Sequence, residues 1–172
     1  MNQVEYFGRG PAENYLDRNA GSMVGLYKST AEELYFPYVR PQENGHHTDT
    51  RWVSLSTGKK GLLIQADNTI GFNALRNSIE DFDDEEATGL SRQWSNFTPE
   101  QVANHDEAAA KNVLRRQHHI NDITPCDFVE VCIDLKQQGV AGYDSWGSRP
   151  EPAYTLPANR EYNWGFTLIP LK

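Results

Sequence analysis

Thr48-Asp49-Thr50-Arg51-Trp52-Val53-Ser54-Leu55-Ser56, with Thr57-Gly58-Lys59-Lys60 and Gly61-Leu62-Leu63-Ile64-Gln65-Ala66 behind it, is the stretch that decides the fold. Its side chains alternate, Arg51, Val53 and Leu55 falling on one side of an extended chain and Trp52, Ser54 and Ser56 on the other. A period of two means strand, and the Gly-Lys-Lys punctuation before the next aliphatic run makes a hairpin. Asp67-Asn68-Thr69 is the next tight-turn sequence and leads to a third strand over residues 70–75, which completes a meander. The same period recurs later. Over residues 127–135, Val129, Val131, Ile133 and Leu135 share a face opposite Phe128, Glu130, Cys132 and Asp134, giving one apolar side and one wetter side. Tyr162, Trp164, Phe166 and Leu168 form an aromatic stripe opposite Asn163, Gly165 and Thr167, expected as core of a sandwich. The predicted class is all-β, an antiparallel β-sandwich.

The chain has 172 residues with 38% hydrophobic, 23% charged and 11% aromatic content, a profile of globular rather than disordered sequence. At this length roughly two-thirds of the unfolded surface is buried on folding, so no metal or disulfide staple is required. A (β/α)8 barrel takes at least about 200 residues and does not fit. The formal charge of −8, with no dense run of Lys or Arg, argues against nucleic acid as a partner. Apolar runs such as Gly61-Leu62-Leu63-Ile64 fall far short of the ~20 residues that span a bilayer, so a soluble chain without a membrane partner is expected. The first residues, Met1-Asn2-Gln3-Val4-Glu5-Tyr6, carry no export signal. Cytoplasm and periplasm both stay open. Cys126 and Cys132 sit on one expected strand about 20 Å apart, too far for a disulfide, and both are expected as thiols.

Residues 77–117 read differently, with an acidic run from Glu80 to Glu86 and then Thr98-Pro99-Glu100-Gln101. Thr98 as N-cap, Pro99 at the first helical position and Gln101 closing a capping box start a helix, and Ala108, Ala109, Ala110, Val113 and Leu114 extend it over residues 98–116. The acidic run lacks the alternating ligands and glycine of a calcium loop and reads as solvated. His46-His47 and His118-His119 are adjacent pairs, which on an extended chain point to opposite faces and do not converge on one ion. No nucleophile elbow, phosphate loop or dinucleotide fingerprint occurs, so no cofactor and no metal are expected in this chain. A pair of carboxylates 5–10 Å apart would suffice for glycoside cleavage, and sequence does not measure that distance. The stretch Gly139-Val140-Ala141-Gly142-Tyr143-Asp144-Ser145-Trp146-Gly147-Ser148-Arg149-Pro150 stands out. An exposed Trp146 on such a loop suits stacking on the apolar face of a sugar, with Asp144 and Ser145 available for hydrogen bonds. The other reading has Trp146 folded back to plug the end of the sandwich.

Phe7-Gly8-Arg9-Gly10-Pro11-Ala12-Glu13-Asn14-Tyr15-Leu16-Asp17-Arg18, then Pro37-Tyr38-Val39-Arg40-Pro41-Gln42-Glu43-Asn44-Gly45 with Asp49-Thr50-Arg51-Trp52, then the Asp144-Ser145-Trp146-Gly147 loop, form an ordered set. This set resembles the carboxyl-terminal domain of the large bacterial β-galactosidases of glycoside hydrolase family 2, over nearly the whole chain except residues 77–117, which look like an enlarged insertion. The resemblance implies a galactose mutarotase-like supersandwich, a single domain over residues 1–172 that forms the carboxyl-terminal part of a larger one. It also implies an enzyme that hydrolyses terminal non-reducing β-D-galactose residues in lactose-like substrates, with catalytic acids and a divalent metal on an upstream (β/α)8 barrel. Trp146 then matches the family's sugar-contacting Trp, with Asp144 and Ser145 beside it as polar or loop-shaping partners. The chain by itself is expected to be inactive, and exposed sheet edges are expected to favour self-association. This chain departs from the family pattern at Ala141, Tyr143 and His47. The alternatives are a free-standing carbohydrate-binding module, and an aldose-epimerase-like enzyme with a His and a carboxylate in one groove.

Overall fold

The computed structural model describes residues 1–39, 42–58, 60–82, 120, 123–144 and 146–172. Six strands follow in chain order: β1 Gln3–Gly10, β2 Met23–Thr30, β3 His47–Ser56, β4 Gly61–Leu75, β5 Glu130–Asp134 and β6 Phe166–Leu171. All pair antiparallel in one sheet of order β2-β1-β3-β4-β5, with β6 also on β4. The all-β antiparallel class stands. Short 3-10 turns occur at Ile79–Asp81 and Pro152–Tyr154, and the helix expected over residues 98–116 lies outside the described residues. The chain divides into two compact units, one made of residues 1–36, 44–76 and 127–172, the other of residues 37–43 and 77–126. All six strands belong to the first unit. Cys126 and Cys132 are both thiols.

Register shows which side chains share a face, because directly paired residues of an antiparallel sheet point the same way. Tyr27, Tyr6, Val53, Ile64 and Leu168 form one row across the sheet, and Leu26, Phe7, Trp52, Gln65 and Thr167 form the next, pointing oppositely. The first row marks the core side: Tyr6, Val53 and Ile64 are buried, as are Val4, Leu55 and Phe72. Its centre is aromatic. Tyr6 meets His47, Phe72 and Tyr27 with ring centroids 4.8, 5.1 and 5.3 Å apart, and His47 lies 5.2 Å from Phe72. Val53 and Leu55 thus fill the side that the period of two assigned to them.

Two expectations fail in instructive ways. Asp67-Asn68-Thr69 is not a turn, because β4 runs unbroken through it for 15 residues. The surplus appears as a bulge: Trp52 pairs with Gln65 but Thr50 with Ile70, so four β4 residues face Arg51 alone. On the other edge Ala66 pairs with Phe166 and the Asp67 N–H donates to the Gly165 carbonyl at 3.0 Å, which holds the bulged chain in the sheet. The aromatic stripe is not core either. Trp164, Phe166 and Leu168 are 45%, 39% and 54% exposed. Leu168 pairs with buried Ile64 and so lies on the core side, but β6 is an edge strand at the rim of that side, where burial ends.

His46 and His47 are each 1% exposed. The Nδ1 of His47 lies 3.0 Å from the Gly45 carbonyl oxygen and its Nε2 3.3 Å from that of Pro11. Both ring nitrogens thus face carbonyl oxygens, and a neutral imidazole has one N–H to offer them. His46 stacks on Tyr15 at 5.7 Å, and a Cβ at Gly71 would stand 2.5 Å from its ring, so position 71 admits only glycine. Burial pushes the pKa of His46 down to about 4, with His47 adding to the effect, and burial lowers that of His47 as well. Both fold neutral, so the unfolded chain binds more protons below pH 6.5 and stability rises with pH. We expect stability to be full above pH 6.5 and to fall by roughly 1–2 kcal/mol on His46's account between pH 6.5 and 5, before most carboxylates titrate. Denaturant unfolding across that range checks this: His46→Gln should shrink the slope, and an unchanged slope would remove His46 as its source.

Candidate functional site

The site is assembled by the β1–β2 connection, residues 11–22, and by the loop that follows β5. The connection is held by an amide. Asn14 is fully buried, and its Nδ2 donates to the carbonyls of Arg9 and Ala12, both at 3.1 Å. Its Oδ1 accepts the Thr48 N–H at 2.9 Å and the Thr48 hydroxyl at 2.6 Å, and its own N–H donates to the His46 carbonyl at 2.7 Å. Both donors and both acceptors of the side chain are used. Around it, Glu13 Oε2 accepts the Gly45 N–H at 2.7 Å, Arg9 Nε meets Asp49 Oδ2 at 2.5 Å, and Arg9 Nη1 donates to the Ser22 carbonyl at 2.8 Å. Tyr15 and Arg18 exchange backbone hydrogen bonds of 3.4 and 2.8 Å, which closes a turn with Asp17 in it.

The loop after β5 carries Trp146, whose side chain stands out from the chain with 92% of the residue exposed. The plug reading is thereby ruled out. The loop backbone, by contrast, is tied at every stage. Gly139 N–H donates to the Tyr154 carbonyl at 2.8 Å, Val140 and Ala141 N–H donate to the two oxygens of Asp17 at 3.1 and 2.8 Å, and Tyr143 N–H donates to Ser148 Oγ at 3.1 Å. Asp144 Oδ1 accepts the Trp146 N–H at 2.8 Å, so this oxygen shapes the turn that presents the indole. Ser145 lies outside the described residues. Asp17 and Ser148 were not singled out by sequence reasoning as members of the site. The available signal was an Asp and an Asn within a Gly- and Pro-rich connection, residue types that bind backbone N–H groups in turns.

Other chemistry finds little support in the described geometry. His46 lines a half-open pocket of about 80 Å³ with Leu16, Thr48, Asp49, Gly71 and Gln137. That is well below the ~300 Å³ of an ordinary small-molecule site. Its Nε2 has no hydrogen-bond partner among the described residues, and a ring with a pKa near 4 is a weak base at neutral pH. His47 faces carbonyl oxygens, and His118 and His119 lie outside the described residues. Among the described residues no three His, Cys, Asp or Glu side chains converge. Half-burial raises the pKa of Asp134.

Comparison with known proteins places the chain in a family. The family model described as β-galactosidase small chain matches residues 1–168, and the chain belongs to that family. It is 34% identical over 172 residues to the β-galactosidase of Priestia megaterium, covering 99% of this chain and 14% of that protein. It is 29% identical to the β-galactosidase of Vibrio cholerae over 97% of this chain and 12% of that protein, and 42% identical over 84 residues, 45% of this chain and 8% of the relative, to that of an Arthrobacter species. The chain thus spans about an eighth of the length of relatives it matches end to end.

The amide at position 14 yields a test. Asn14→Leu leaves the Thr48 N–H and hydroxyl and two carbonyls without their partner in a buried place, and we expect a loss of roughly 2–4 kcal/mol in denaturant unfolding. A loss within error of zero would show that the connection is held by something else.

Proposed function

We propose that this chain serves as a sugar-contacting and structural domain of a β-galactosidase, an enzyme that releases terminal non-reducing β-D-galactose from lactose-like substrates. Trp146 is its platform for the apolar face of the sugar ring, and the chain supplies no catalytic acid. The carboxylate pair and the divalent metal reside in this reading on a (β/α)8 barrel elsewhere in the enzyme, for which 172 residues leave no room. The observation that carries the proposal is the 92% exposure of Trp146 on a loop whose Tyr143 and Trp146 N–H groups are bonded by the side chains of Ser148 and Asp144. An indole so exposed contributes little to the fold, yet the loop is built around it. Aromatic faces meet sugar C–H surfaces in this way, and a platform fixed beforehand loses little entropy on binding. Membership of the small-chain family and similarity to β-galactosidases support the same reading.

The test is hydrolysis of a chromogenic β-galactoside by the chain alone and by the complete enzyme that contains it. We expect no turnover from the chain alone, and in the enzyme a KM about tenfold higher for Trp146→Ala, with Trp146→Phe close to the parent. Turnover by the chain alone would place a carboxylate pair within these residues, and an unchanged KM in Trp146→Ala would remove the platform.

A further inference from the structure

We propose that Asp17 is the positioning residue for Trp146: its carboxylate, gripping the backbone of Val140 and Ala141, sets where the indole stands. The inference rests on the reading of Trp146 as the sugar platform and goes beyond it, because it assigns the placement of that platform to a residue 123 and 124 positions away from the N–H groups it holds.

A side chain as exposed as Trp146 has almost nothing packed against it, so its position is inherited from its backbone. Among the described residues, that backbone meets the β1–β2 connection at Val140 and Ala141. Nearer the indole, the Tyr143–Ser148 and Trp146–Asp144 hydrogen bonds join loop residues to one another and fix shape rather than place. The place is set upstream, where Oδ1 and Oδ2 of one carboxylate accept two successive N–H groups at 3.1 and 2.8 Å, charge-assisted bonds of the stronger kind. Two further features show the fit to be specific. A Cβ on Gly139 would stand 2.5 Å from Asp17 Oδ2 and 2.6 Å from its Cγ, so the loop approaches the carboxylate as closely as glycine allows. Ala141 adopts φ 55°, a left-handed conformation that a residue with a Cβ holds only when its surroundings impose it, and its N–H makes the shorter of the two bonds. Asp17 is itself held, in the turn closed by Tyr15 and Arg18 next to the buried Asn14. A chain of fixed contacts therefore leads from the core through Asp17 to the indole.

The experiment uses the complete β-galactosidase containing this chain and compares Asp17→Ala, Asp17→Asn, Trp146→Ala and the double variant Asp17→Ala/Trp146→Ala. If Asp17 acts through Trp146, Asp17→Ala raises KM by about tenfold with kcat little changed, and the double variant is within about twofold of Trp146→Ala alone. A loss that multiplies in the double variant, or one confined to kcat with KM unchanged, overturns the proposal in favour of an independent or merely structural role. Hydrogen exchange in the same enzyme reads the clamp directly. Exchange at Val140 and Ala141 should quicken by about tenfold or more in Asp17→Ala while the strands stay protected. Unaltered exchange overturns the clamp whatever the kinetics. If Trp146→Ala proves kinetically silent, the platform reading falls, and exchange alone then decides whether Asp17 holds the loop. Should Asp17→Ala fail to fold, the isosteric Asp17→Asn, which keeps one acceptor and sets an amide N–H against a backbone N–H, serves in every arm.

Discussion

A single buried amide organises the region from which the site is built. Asn14 lies at zero exposure with its two donors turned to one stretch of backbone and its two acceptors to another, and so it joins the β1–β2 connection to the start of β3. The arrangement holds because nothing is left over: an amide buried with one group unused would cost much of what the others contribute. A backbone-to-backbone ladder could not replace it, since residues 11–22 do not run as a strand beside β3. The Arg9–Asp49 pair, the Glu13–Gly45 bond and the Tyr15–Arg18 turn add to the same junction.

From that junction the functional logic runs outward. The core side of the sheet is aromatic and aliphatic, the connection above it is polar and fully engaged, and the loop after β5 is attached to the connection through one carboxylate. Exposure rises in the order core, connection, loop, and ends at Trp146. Separating support from contact in this way lets a large apolar surface face solvent without belonging to the core. The glycines follow from it as well: at Gly71 the ring of His46, and at Gly139 the carboxylate of Asp17, occupy the space of a side chain.

Much of this was legible in the sequence, for reasons that differ from part to part. The alternation of Val53 and Leu55 against Ser54 and Ser56 reported a sheet with one buried side, because strand geometry fixes that period. The loop around Trp146 was legible through its glycines, and the ordered motifs carried the family. Asp67-Asn68-Thr69 misled because turn formers are also bulge formers, and only the partner on the far edge, β6, decides between the two. The stripe at Trp164, Phe166 and Leu168 misled because alternation assigns a side of the sheet but not a distance from its rim. Asp17 was illegible as part of the site because its partners are backbone N–H groups more than a hundred residues away, and backbone donors leave no mark in a sequence.

The bulged strand β4 has a consequence for how the chain reaches its fold. One edge of β4 pairs with β3 on either side of the bulge, while the other is divided, β6 taking the first part and β5 the last. Hairpins between neighbours close short loops and form early, whereas β5 and β6 return from far along the chain and close long ones. The meander to β4 must therefore stand as a template before its last two partners arrive. Residues 66–69 are out of register with β3 and are held on the other edge by Phe166 and Gly165, so the bulge stays in the sheet only once β6 is in place.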